Sequence, residues 1–236
     1  MQTIRTTEYS LPAPARGLRL AVLADLHDRD ARGVARAVSA LSPDACLFVG
    51  DLFESPPRRR RFSFDEAALC LELLAPLCPL FWVPGNHDLT LPPPLDAQMS
   101  RLGVHRLDNR FEHFREIVIG GLSSARYLPR QVPDTAFLDR FSKESGYKLL
   151  LCHHPEYYPA YVRELPIDLT VAGHTHGGQW SFFGHGIYAP GQGFFPRYTA
   201  GLYEGRLLVS RGLKPVRILP RIANPREIIL LTLGEP

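Results

Sequence analysis

Several absences bound what this chain can be. Its four cysteines, Cys46, Cys70, Cys78 and Cys152, form no C-x-x-C pair. Cysteine among apolar neighbours behaves as a small hydrophobe, so a reducing compartment is expected and a thiolate metal cluster is not. No apolar run approaches the length of about 18 residues that marks a membrane-spanning helix. The opening MQTIRTTEYSLPAP has neither an apolar signal core nor a twin-arginine mark, so a cytoplasmic protein, at most peripheral to a membrane, is expected. Charge of one sign is also missing. With 27 Lys and Arg against 24 Asp and Glu the net charge is +3, too even for a broad duplex nucleic-acid footprint. There is no internal repeat, no G-x-S-x-G elbow, no H-E-x-x-H and no Walker A loop, which removes several hydrolase and nucleotidase classes.

What remains is 236 residues, 45% of them hydrophobic, enough for residues 1–236 to form one α/β domain. Short apolar runs alternate with longer amphipathic ones, the pattern of layered α/β structure. The expected strands are 19–24, 45–49, 80–83, 116–121, 148–152, 169–172, 206–210 and 227–233. ARGVARAVSAL, FDEAALCLELLAPL, LDAQMSRL and PEYYPAYVREL carry apolar residues near helical spacing and read as covering helices. SPPRRRRF (55–62) and LPRQVPD (128–134) read as surface loops.

Polar residues cluster where these strands end. Asp25-Leu26-His27 follows the first, Gly50-Asp51 the second, Pro84-Gly85-Asn86-His87-Asp88 the third, His153-His154 a later one and Gly173-His174-Thr175-His176 the next. Open α/β sheets place their sites at the carboxyl ends of strands. Carboxylate, imidazole and amide oxygen without thiolate suit two divalent ions of Mn, Fe or Zn. Glycine beside the paired histidines lets the backbone turn tightly and approach a ligand.

D-x-H, G-D, G-N-H-D, a later histidine and G-H-x-H, in that order, resemble the calcineurin-like metallophosphoesterases, from Gly17 to Leu233. The stretches GHTHGGQ, YAPGQGFFPRYTAGLYE and LLVSRGL narrow the likeness to the YkuE/YaeI-like branch of small phosphodiesterases, some membrane-associated, with a related group that cleaves UDP-2,3-diacylglucosamine. The resemblance implies a four-layer αββα sandwich, two mixed β-sheets flanked by helices. It implies that Asp25, His27 and His176 hold one metal, Asn86, His153 and His174 the other, and that Asp51 bridges both. It implies a metal-bridging hydroxide as nucleophile, with His87 stabilising the transition state and Glu54 orienting His87. His153 rather than His154 is the ligand, because the family pattern is histidine, any residue, proline, and Pro155 fits only that choice.

The expected activity is a phosphodiesterase or pyrophosphatase acting on a lipid-linked or nucleotide-type phosphodiester. A phosphomonoesterase or nuclease would use the same ions, and a silent scaffold would be expected to have lost ligands. Arg211 is a candidate phosphate contact or a structural ion pair. The run Arg58 to Arg61 reads as a solvated face or a headgroup lure. Trp180, Phe182, Phe183, Phe194 and Phe195 read as a satellite core or as an apolar wall for a lipid or nucleoside, and if exposed they support shallow membrane contact. His105, His113, His154 and His185 read as surface or packing residues. No duplex nucleic acid and no protein partner are expected.

Overall fold

The computed structural model describes residues 3–54, 63–88, 90–125, 132–178, 181–182, 185–186, 188–189, 192–214 and 224–234. Its strands begin with β1 (Ile4–Leu11), β2 (Leu18–Leu23), β3 (Ala45–Val49), β4 (Leu80–Val83) and β5 (His105–Arg106). Next come β6 (Arg110–Phe114), β7 (Ile117–Leu122), β8 (Tyr147–Cys152) and β9 (Leu169–Ala172). Then follow the short β10 (Ser181–Phe182), β11 (His185–Gly186), β12 (Tyr188–Ala189) and β13 (Gly193–Phe194). The last are β14 (Gly201–Tyr203), β15 (Leu207–Val209) and β16 (Arg226–Leu233). Helices are α1 (Ala31–Leu41), α2 (Asp65–Leu74), α3 (Pro93–Arg101) and α4 (Thr135–Phe141).

Two six-stranded sheets result, ordered β1-β16-β2-β3-β4-β5 and β14-β15-β9-β8-β7-β6. Both are mixed: β2, β3 and β4 run parallel while β16 is antiparallel to β2, and β7, β8 and β9 run parallel while β6 is antiparallel to β7. Two-residue periodicity places alternate side chains on opposite faces. Thus Ala21, Leu23, Cys46, Phe48 and Trp82 join α1, α2 and α3 in one core. Leu20, Val22, Leu47, Val49, Phe81 and Val83 meet Ile119, Leu149, Leu151 and Val171 between the sheets. Val118, Leu150 and Cys152 pack on Phe137, Phe141 and Tyr158 beyond the second sheet. Three apolar layers separating helices, sheet, sheet and helix make the four-layer sandwich.

α1 shows the local logic. Asp30 caps it by accepting from Gly33 N–H at 3.2 Å, which satisfies one of the open donors of its first turn. Val34 and Val38 are fully buried, each contributing about 1.5–3 kcal/mol on leaving water.

The structure departs from the sequence expectations at the periphery. β1, β6 and β14 are outer strands, half-exposed or mixed in polarity. PEYYPAYVREL does not form a covering α-helix. It makes one π-helical turn at Tyr158–Val162, with Arg163 N–H donating to Tyr158 C=O at 2.8 Å, and Pro159 at the start of the turn has no N–H for a regular ladder. α4 was not anticipated. Among the described residues no helix is long and apolar enough to cross a membrane.

Candidate metal centre

The parallel run carries the strand-end loops to one edge. After β2 the chain turns through Asp25 and His27, after β3 through Asp51, and after β9 through His174 and His176, and all five sit in the left-handed backbone region with φ of 54°, 51°, 54°, 70° and 49°. Outside glycine that region costs on the order of 1–2 kcal/mol per residue. Strain of this kind persists only where surrounding contacts over-determine it, and it gathers at functional sites. The contacts are visible. Asp25 N–H donates to Gly50 C=O at 3.1 Å, His27 N–H to Asp51 C=O at 3.0 Å, and His174 N–H to Asp25 Oδ2 at 3.1 Å.

Among the described residues these loops bring donor atoms together in four groups, His27, Asp51 and His87 forming one, His154, Glu156 and His174 another, and the remaining two meeting at Asp51. Asp25, His27 and His176 offer ligand atoms within 4.8 Å of one another, as do Asp51, His153 and His174. Asp51 Oδ2 is 3.4 Å from His27 Nε2 and 3.4 Å from His153 Nε2. His153 Nδ1 donates to Val49 C=O at 2.8 Å, which turns Nε2 inward to a point 3.2 Å from Asn86 Oδ1. Such a backbone bond on the outer nitrogen fixes the orientation of a ligating imidazole. Oxygen and imidazole donors packed this closely could hold a divalent metal ion.

The ionisation of these residues centres on Asp51. Burial pushes the Asp51 carboxyl up, but His153, His27 and His87 together hold it well below the usual carboxylate range. Burial pulls His153 down, yet Asp51 outweighs it and raises the imidazole to about 10. Burial, with His154 and His153 adding to it, holds His174 well below the usual histidine range, in the neutral form whose lone pair can ligate.

Among the described residues, the half-buried Glu54, His87 and Lys214 stand together at the rim of the site. Glu54 Oε1 is 3.5 Å from His87 Nδ1, and its Oε2 is 3.1 Å from His27 Nδ1. Lys214, which drew no attention in the sequence, donates from Nζ to Glu54 Oε2 at 2.9 Å. Partial burial pushes the Glu54 carboxyl up, but His27 and Lys214 overcome this and hold it at about 2. Glu54 and Lys214 thereby cancel, leaving the rim without a carboxylate charge to repel an anion.

Asp88, the last residue of G-N-H-D, binds the loops together. Its carboxylate accepts from Leu52, Phe53 and Gly85 N–H at 3.1, 3.3 and 3.1 Å. Asn224 donates to His176 C=O at 2.7 Å from the far end of the chain. Asn224 carries no sequence signal beyond polarity in a loop.

Other expectations fall elsewhere. Arg211 makes its contacts to Glu227 at 3.8 Å and to Asn224 Oδ1 at 3.3 Å, the ion-pair alternative. His154 bonds Ser124 Oγ and lies 3.3 Å from Glu156, and its ring meets that of His174 edge-on with centroids 4.3 Å apart. His105 pairs with Glu112 and stacks on Phe81. Phe194 and Phe195 fill no satellite core: they are 74% and 84% exposed. Arg58 to Arg61, Trp180 and Phe183, and the side chains of Phe182 and His185, lie outside the described residues.

Comparison with known proteins places this geometry. The chain is 26% identical to an uncharacterised metallophosphoesterase of Campylobacter jejuni over 98% of its own length and 63% of that protein's. It therefore spans less than two thirds of that relative. It is 27% identical to the uncharacterised metallophosphoesterase YkuE of Bacillus subtilis over 98% of this chain and 85% of that one. It is also 27% identical to the UDP-2,3-diacylglucosamine pyrophosphatase LpxG of Chlamydia trachomatis, over 97% and 88% of the two chains. The family model for calcineurin-like phosphoesterases matches residues 18–178, which hold every strand-end motif described above. This chain belongs to the calcineurin-like phosphoesterase family.

Proposed function

We propose that the protein is a phosphodiesterase or pyrophosphatase dependent on two divalent metal ions. One observation carries the reading: Asp51 Oδ2 stands 3.4 Å from imidazole nitrogens of both donor groups, the place of a carboxylate shared by two ions. Asp25, His27 and His176 would hold one ion, Asn86, His153 and His174 the other. When bound, such a pair supplies an activated water and positive charge for the phosphoryl oxygens.

The chain's own residues do the rest. Asp25 and Asp51 are buried and confine negative charge to the floor of the site. His87, with its side chain 31% exposed, stands at the rim, where substrate enters. Burial lowers its pKa against the opposing pull of Asp51, which favours the neutral ring, whose remaining N–H can donate a hydrogen bond to a phosphoryl or departing oxygen. Glu54 holds Nδ1 of this ring and of His27 at once, aligning a ligand with the residue that serves the leaving group.

The pyrophosphatase relative supports a substrate in which phosphate is doubly substituted. The test is a panel on metal-reconstituted protein: bis-p-nitrophenyl phosphate against p-nitrophenyl phosphate, with nucleotide-sugar lipids, glycerophosphodiesters, cyclic nucleotides and oligonucleotides. The expected result is diester hydrolysis well above monoester hydrolysis. A preference for the monoester would overturn the reading.

A further inference from the structure

Five large apolar side chains are exposed among the described residues, and three of them, Tyr188, Phe194 and Phe195, lie on the hairpin of β12 and β13. The other two, Leu77 and Val132, stand singly on other parts of the chain. Scattered apolar residues need no explanation, but a concentration on one small projection does.

The display is held in place by specific contacts. Gln192 clamps the backbone of Tyr198 through both ends of its amide, donating to Tyr198 C=O at 2.8 Å and accepting from Tyr198 N–H at 3.0 Å. That closes residues 193–197 into a loop with the two phenylalanines at its tip. The Tyr188 ring meets Phe194 edge-on with centroids 5.4 Å apart, and Phe195 adopts a φ of 55°, a conformation a bulky residue holds only under constraint. The loop is also fastened to the metal centre: β12 packs on the turn His176–Gly178, and Thr175 Oγ1 donates to Thr199 C=O at 2.9 Å.

Charge selects the occupant. Arg197 follows the phenylalanines, 69% exposed, and it and Arg163 share the single carboxylate of Glu204, so the base of the loop has a surplus of positive charge. Aromatic tips above a cationic collar match the interfacial layer of an anionic bilayer. A stable protein partner would instead need about 800 Å² on each side, far more than one hairpin tip.

We propose that the Tyr188–Phe195 hairpin docks the protein on anionic membranes, inserting Phe194 and Phe195 at headgroup level and presenting the metal centre to a lipid-borne phosphodiester. Only the choice of substrate chemistry rests on the proposed function; the docking itself does not require it.

The test is co-sedimentation of the full chain with vesicles of phosphatidylcholine alone and of phosphatidylcholine with phosphatidylglycerol. The wild type should pellet with the anionic vesicles, and the F194S/F195S variant should partition at least tenfold less. R197Q should lose binding to anionic vesicles alone. Failure of the wild type to pellet, or equal pelleting by F194S/F195S, would overturn the proposal. So would a wild-type dimer in light scattering that F194S/F195S abolishes without any vesicle binding. Hydrolysis of bis-p-nitrophenyl phosphate is measured in parallel and should be equal in wild type and F194S/F195S, which shows that the variant is folded. If neither hydrolyses it while vesicle binding still depends on the rings, the catalytic reading fails and the docking surface stands.

Discussion

Gly212 presses on Asp25 so closely that a Cβ on the glycine would come within 2.4 Å of the carboxylate Oδ2. Because Gly212 also has a φ of 69°, G212A should cost about 1–2 kcal/mol in thermal stability. It should also displace Asp25 and weaken metal binding roughly 10- to 100-fold, the usual scale for damage behind a ligand. Manganese titration followed by thermal unfolding measures both. Native affinity in a stable variant would show that Asp25 needs no such backing.

Asp51 is shared by both donor groups, so D51N should lower occupancy of both ions, whereas a change in either histidine pair should affect one first. Elemental analysis after reconstitution reads this directly. Two ions per chain in D51N would remove the bridging role.

For His87 the expectation separates metal loading from turnover. H87A should retain its metals and lose about 10²- to 10⁴-fold in rate. Unchanged turnover on bis-p-nitrophenyl phosphate would take the residue out of the chemistry.

Glu54 ties His27 to Lys214. E54Q keeps the shape but loses the charge, and should weaken metal affinity about 10-fold or more through the loosened His27 ring. K214M should act in the same direction and more mildly, because Glu54 keeps its contact with His27. Calorimetric titration of both variants checks the order, and a larger loss in K214M would contradict it.

Asp88 offers a pH test of the metal-free protein. Burial first, then Asp51, raises its carboxyl to about 6, against about 3.9 in an unfolded chain. The folded form therefore binds the extra proton between roughly pH 4 and 6, and stability falls as pH rises through that window, by about 3 kcal/mol at most. D88N lacks the titration. The stability of the wild type relative to D88N should decline from pH 4 to 6 and then level off; parallel urea-unfolding curves would refute it.

Much of this was legible in the sequence because buried parallel strands are short apolar runs and their ends announce themselves. β3, β4 and β9 coincide with ACLFV, LFWV and LTVA. Outer strands do not, since one side of each faces water or a sparse neighbour: β1 mixes half-buried and exposed residues and pairs, among the described residues, with β16, more than 200 residues away. The strand-end histidines and aspartates were readable as a set because order and spacing repeat a pattern. Lys214 and Asn224 were not, because each reaches the site only through tertiary contacts to Glu54 and His176, separations of 160 and 48 residues. The exposure of Phe194 and Phe195 was equally hidden, since composition alone cannot distinguish a ring that packs from one that projects.

The insertion of β16 between β1 and β2 governs assembly in time. While residues 226–233 are still inside the ribosome, β1 has no hydrogen-bonding neighbour and the open side of β2 is uncovered. The loop that supports Asp25 waits as well, because Glu227 N–H donates to Gly212 C=O and Arg226 to Leu213 C=O. Assembly of the proposed metal centre thus waits for β16, and a nascent polypeptide stalled before Arg226 would carry all of the proposed ligands without the architecture to grip an ion.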